Sequence, residues 1–427
     1  MKTIRHKLAL AVLIALVTSC NNITPKPINE QTEKTVKAKD ILGNPEYIAI
    51  SYGGYRMTSR DHQPTLEELK EDLQILQAMG IKVLRTYNVQ LPHANNILKA
   101  IRALKKEDSS FEMYVMLGAW IDCLNAWSDL EPNHEIESPT NAAEIDRAVA
   151  LANEFPDIVK VIAVGNEAMV KWATSYYVQP DVILKWVNHL QQLKSEGALS
   201  EDLWITTSDN FASWGGGEKQ YHVKALEELI AAVDYLSVHT YPMHDTHYNP
   251  SFWGVFGNEN ERTHLEQIES AMARAAKYAI AQHDSVVSYV KSLGLDKPIH
   301  IGETGWASSS NGLYGHNGSK ATDEYKQALY YTHMREWTNR EQMSCFYFEA
   351  FDEPWKDAAN TGGSENHFGL FTVDGQAKYA LWQLVDQKTF ENLTRGGNPI
   401  TKTYNGDKAV LLMEVLPPPS KGKVLVK

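Results

Sequence analysis

The chain reads as an α/β protein, a TIM (β/α)8 barrel with a short C-terminal extension. Three observations predict this. Short apolar runs alternate with amphipathic helical stretches eight times over about 350 residues, the count of such a barrel with insertions. Two of the runs end on a glutamate, Glu167 and Glu303, and the C-terminal ends of barrel strands are where such folds carry their chemistry. The first run closes on Gly53-Gly54 without GxGxxG spacing, which removes the phosphate turn an open doubly wound sheet would use.

Each element has its own signal. Tyr47–Tyr52 is a first strand, and Thr65 with Glu68 forms a capping box for a helix that Gly80 stops. Lys82–Tyr87 is the second strand, followed by a helix over His93–Lys106. Met113–Gly118 is the third, with a helix over Asn141–Phe155. Val159–Gly165 is the fourth, ending on Asn166-Glu167, and Val182–Glu196 is helical. Leu203–Ser208 and Tyr235–His239 are strands five and six, flanking a short helix over Ala225–Val233. A long helix over Thr263–Leu293 precedes strand seven, which ends at Glu303. Asp323–Asn339 is helical, Cys345–Phe348 is strand eight, and a helix over Lys378–Val385 closes the set. The longest loop, Pro242 to Arg262, holds Tyr248, Phe252, Trp253 and Phe256. Loops of that length are usually functional or disordered, and its aromatic content points to a wall of a substrate cleft.

Composition narrows the function. A 43% hydrophobic content in 427 residues supports a large core. A formal net charge of −12 and a pI near 5.7 argue against nucleic acid or an anionic polymer and favour a neutral ligand. No cysteine or histidine spacing matches a metal site, no cofactor is implied, and nothing demands a partner chain, so a monomer is expected. The histidines His239, His244 and His247 near Asp245 lack a full ligand set and read as satisfied rim residues.

The N-terminus reads as a targeting signal. Met1–Lys7 is basic, Leu8–Val17 is apolar and too short to span a membrane, and Val17-Thr18-Ser19-Cys20 resembles a lipobox. The expected organisation is a lipoprotein signal peptide over 1–19, acylation of Cys20, a tether over 20–43, the barrel over 44–392 and a β-prone extension over 393–427. Asn21 after the cysteine resembles lipoproteins sent to the bacterial outer membrane. Cys123 and Cys345 then remain, far apart around a barrel, which suits two buried thiols better than a disulfide.

The stretch Pro298–Ser308 is the most informative. An apolar strand runs into Glu303 and on to Thr304-Gly305-Trp306. A buried carboxylate is costly without partners, so Glu303 either does chemistry or caps a helix or pairs with an arginine. Trp306 offers a flat apolar face for a sugar ring. In a closed barrel Glu167 and Glu303 point into one mouth, and paired carboxylates amid aromatics are the equipment of glycoside hydrolysis. Asn166 beside Glu167 is placed to hydrogen-bond a sugar 2-hydroxyl.

Asn166-Glu167 on strand four and Gly302-Glu303-Thr304-Gly305-Trp306 on strand seven resemble family 17 of the glycoside hydrolases. The resemblance extends to Ala49–Gly53, Arg85-Thr86-Tyr87, Tyr241-Pro242, Phe348–Lys356 and His367–Phe371, the last two being closest to the bacterial branch. It implies a retaining hydrolase of β-1,3-glucan such as laminarin, with Glu167 as acid/base and Glu303 as nucleophile. It further implies that Tyr52, Arg85, Tyr87, Asn166, Tyr241, Trp306, Phe351, Glu353 and Lys356 bind substrate or support the cleft. Glu353 and Lys356, at helical spacing, suit an ion pair equally well; of Phe351 and Trp355, one is expected in the core and one as a platform. His239 stands where plant members commonly carry Asn. A β-glucan transglycosylase using the same site and a non-catalytic glycan-binding surface lipoprotein are the alternatives.

Overall fold

The computed structural model describes residues 36–421. The expected signal peptide, Cys20 and the β-prone run Val424–Val426 lie outside the described residues. Eight parallel strands close into a barrel: β1 (Ile48–Ser51), β2 (Ile81–Arg85), β3 (Tyr114–Ala119), β4 (Val159–Asn166), β5 (Trp204–Asn210), β6 (Leu236–His239), β7 (Ile299–Gly305) and β8 (Cys345–Phe348). Closure is direct, with Ile50 of β1 opposite Tyr347 of β8 and Ile50 also opposite Leu84 of β2. The strands are buried along nearly their whole length, because helices cover the outside and side chains fill the inside. The outer helices follow the expected pattern; the Thr65 and Thr263 capping boxes both form.

The barrel interior is filled by Ala49, Val83, Met116, Val161, Ala163, Tyr235 and Phe346, and Ile41 and Leu42 join that cluster. The tether therefore ends earlier than expected. A one-turn helix, Ala38–Ile41, precedes β1 and buries Ala38, Ile41 and Leu42, because a barrel's N-terminal end is open until apolar side chains stop it.

The extension also differs from expectation. The β-prone run after Ala409 forms a helix, Lys408–Met413, started by Asp407 accepting from the Ala409 and Val410 amides. Its pattern buries one side, which β-propensity alone does not encode. The segment after residue 393 packs against the barrel's outer helices. Arg395 is buried, donates from Nε to Asp72 Oδ1 at 2.8 Å and from Nη2 to Oδ2 at 3.1 Å, and so ties the extension to the helix Leu66–Ala78. The loop between β3 and the next helix holds an unforeseen hairpin, Cys123–Leu124 paired with Asn133–Glu137. Cys123 and Cys345 are buried free thiols.

Candidate active site

β4 bends at its catalytic end. Gly165 (φ +81°) and Glu167 (φ +46°) both take left-handed backbone, and the register with β5 slips between Ala163 and Asn166. Glycine adopts that region freely, whereas glutamate does so only when its surroundings impose it. The Glu167 amide donates to Ser208 O at 2.9 Å. Two residues on, the Met169 amide donates to buried Asp209 at 2.7 Å. The bend brings Glu167 to a cavity of about 1000 Å3 at the barrel mouth, which Glu303 at the end of β7 also lines.

Glu303 is surrounded by donors. Arg85 Nη1 donates to its Oε2 and, at 2.8 Å, to Gly302 O, while Nη2 donates to Asn166 Oδ1. Tyr87 OH donates to Oε2 at 2.9 Å and Tyr241 OH to Oε1 at 2.6 Å. Burial alone pushes this carboxyl up, but the Arg85 charge and the two hydroxyls outweigh it and hold Glu303 well below the usual carboxylate range. Glu167 goes the other way. Burial, and then the negative charge of Glu303, push it well above that range. Two carboxyl groups in one cavity are thus pushed in opposite directions, the division that a nucleophile and an acid require.

The remaining expected site residues fall into two groups. Arg85, Tyr87 and Tyr241 gather on Glu303, and Asn166 is tied to them through Arg85. Lys356 lies close by, its Nζ 3.0 Å from Glu349 Oε2, 3.7 Å from Glu353 Oε2 and 3.9 Å over the Phe348 ring. Glu353 accepts from the Tyr55 amide at 3.2 Å and Trp355 Nε1 at 2.9 Å, so the ion-pair reading of that motif describes its geometry. Tyr52, Trp306 and Phe351 are not at the cleft surface. Tyr52 is buried and donates to Asp72 at 3.0 Å. Phe351 is buried against Phe371 and the Arg395 guanidinium. Trp306 is 0% exposed, donates from Nε1 to Ala321 O at 2.8 Å and packs on Trp253 and Tyr330. The expectation of a sugar platform at Trp306 is corrected, because just past the end of β7 its ring turns against Tyr330 of the helix Glu324–Arg340; of Phe351 and Trp355, Phe351 is the core residue, packed on Phe371, Tyr52 and Arg395. Trp355 is half-buried, with Arg60 4.3 Å over its ring.

Sequence reasoning missed several residues. The cavity wall includes Trp172, Tyr248, Tyr314, Glu365 and Phe368, of which only Tyr248 was anticipated, as part of the Pro242–Arg262 loop. That loop opens with a helix, Pro242–Tyr248. His239 is not a rim residue: it is fully buried on β6, with Nδ1 3.2 Å from Glu167 Oε1. Its position at a strand C-terminus was the available signal. Among the described residues no group of His, Cys, Asp or Glu is arranged to hold a metal.

The profile of the BtgE/BtgC glycoside hydrolase domain matches residues 49–369, more than half of the chain. The chain belongs to this glycoside hydrolase family. A crystal structure of an endo-laminarinase from Formosa Hel1_33_131 superposes with a TM-score of 0.91 at 73% identity, covering 92% of this chain and 100% of that one. A Rhizomucor miehei β-1,3-glucanosyltransferase, solved with laminaritriose, shares the fold at 21% identity and a TM-score of 0.54, over 78% of this chain and 96% of that one. Among sequences, a glucan 1,3-beta-glucosidase of Arthroderma benhamiae is 24% identical over 62% of this chain and 72% of its own length. A probable glucan endo-1,3-beta-glucosidase of Aspergillus flavus is 23% identical over 80% of this chain, which spans 45% of that protein's length.

Proposed function

We propose that this glycoside hydrolase cleaves internal linkages of β-1,3-glucan of the laminarin type by double displacement. The observation that carries the mechanism is the pair of carboxyls lining one cavity, with Arg85, Tyr87 and Tyr241 donating to Glu303 and favouring its ionised form, while burial and the Glu303 charge favour the neutral form of Glu167. The Glu303 carboxylate attacks the anomeric carbon; the glycosidic C–O bond breaks, and the Glu167 proton passes to the departing oxygen. Water then gives its proton to Glu167 and displaces Glu303 from the sugar, restoring both groups. Asn166, fixed through its Oδ1 by Arg85, presents its amide to the sugar 2-hydroxyl. The substrate class is supported by the 73% identical endo-laminarinase and by a cavity walled with aromatic rings and free of an excess of cations.

The test uses the chain after Cys20 with laminarin, mixed-linkage glucan and cellulose. Laminarin is expected to give a ladder of shortened products, and Glu303→Gln to lose several orders of magnitude in rate. Near-normal turnover by that variant rejects the assignment. Products longer than the substrate identify transfer to a sugar hydroxyl in place of water. The N-terminal lipobox supports delivery to the outer membrane through a lipid on Cys20.

A further inference from the structure

Behind Glu167 a buried hydrogen-bonded file runs through the barrel wall. His239 Nδ1 is 3.2 Å from Glu167 Oε1, its Nε2 is 2.7 Å from Ser208 Oγ, and Ser208 Oγ is 2.7 Å from Ser237 Oγ. All three residues are fully buried. Gly302 makes room for them, since a Cβ there would stand 2.0 Å from Ser237 Oγ and 2.6 Å from Ser208 Oγ. Among the described residues no protein group hydrogen-bonds Glu167 Oε2. The charged and titratable groups that act on His239 are Glu167, Glu303, Arg85 and Asp209; those around Glu167 also include His244, Glu365, Tyr176 and Tyr241.

Resting on the glycosidase reading above, we propose that His239 is a positioning residue that keeps the catalytic proton of Glu167 on Oε2, the oxygen that no protein group engages. The argument is one of tautomers. Glu167 alternates between acid and carboxylate during turnover, and an Nδ1 lone pair would repel the carboxylate. An Nδ1–H suits both states: it donates to the carboxylate, and in the acid it donates to the carbonyl oxygen Oε1, which leaves the hydroxyl on Oε2. Nε2 then accepts from Ser208 O–H, whose oxygen accepts from Ser237 O–H, and the whole file is satisfied. The opposite tautomer would tie the acid proton to His239 and withhold it from the leaving group. Burial supports a neutral ring, pushing His239 down to about 4.

Two replacements separate this role from simple packing. Asn places its amide where Nδ1 stands, so His239→Asn keeps the donor to Glu167. His239→Gln reaches toward Ser208 and loses it. With laminarin, whose leaving group needs protonation, His239→Gln is expected to fall about 10- to 100-fold in kcat with little change in KM, and His239→Asn to stay within about threefold of the parent. The burst of a dinitrophenyl β-laminaribioside needs no acid and is expected to change less than about threefold in both. The alkaline limb of the laminarin pH profile is expected to rise in His239→Gln, because a donor to the carboxylate form is gone. Equal losses on both substrates, an unmoved alkaline limb, or Asn no better than Gln would overturn the proposal. A parent enzyme inactive on laminarin would instead overturn the glycosidase reading.

Discussion

Tyr241→Phe tests how Glu303 is kept ionised. The change deletes one hydroxyl and leaves the ring, which stacks on His244 at 5.2 Å and meets Phe348 and Phe368 edge-on at 6.4 and 6.0 Å. The lost contact is a 2.6 Å O–H donation to Glu303 Oε1. A hydrogen bond to a charged group contributes about 1.5–3 kcal/mol. At about 1.4 kcal/mol per pKa unit, Glu303 should rise by roughly one to two units. The ionised form is the nucleophile, so the acidic limb of kcat/KM on laminarin should move upward by that amount. Arg85 and Tyr87 still hold the carboxyl down, so activity near neutral pH should survive in part. The assay is a pH–rate profile with thermal unfolding as a control for folding. An acidic limb that stays in place in a folded variant would refute the claim that Tyr241 tunes Glu303.

Glu167→Gln should be inactive on laminarin yet more stable than the parent at neutral pH. A carboxyl whose folded pKa is raised costs stability above its unfolded pKa, so the gain should be absent below about pH 4 and reach about 1 kcal/mol or more at pH 7, read by calorimetry. Trp306→Ala should cost about 3–5 kcal/mol by opening a cavity against Trp253 and Tyr330. Trp306→Phe should lower the melting temperature without raising KM, and a selective rise in KM would return Trp306 to the cleft. Cys20→Ser should release the protein from the membrane fraction; continued membrane association, measured by detergent partitioning, would argue against the lipid anchor.

Much of the fold was legible because its signals are local. Apolar runs of strand length, capping boxes such as Thr65-x-x-Glu68 and the stop at Gly80 each depend on neighbours within a few residues. The two glutamates were legible for a related reason: a charge at the end of an apolar strand is a cost that local sequence makes visible. The hairpin at Cys123–Glu137 and the helix Lys408–Met413 escaped, since short elements owe their form to what they pack against.

Residue order alone thus determined that Glu167 and Glu303 stand at strand ends and that Arg85, Tyr87 and Tyr241 stand near other strand ends. Only closure of the barrel decided that Arg85, Tyr87 and Tyr241 converge on Glu303 while His239 turns to Glu167, a division that gives two chemically identical side chains opposite electrostatic surroundings. Tertiary structure likewise decided that Trp306 faces the helices and not the cleft. The physical reason is the same in each case: desolvation and Coulomb interaction depend on distances through space between residues far apart in the chain, and local pattern carries no record of them.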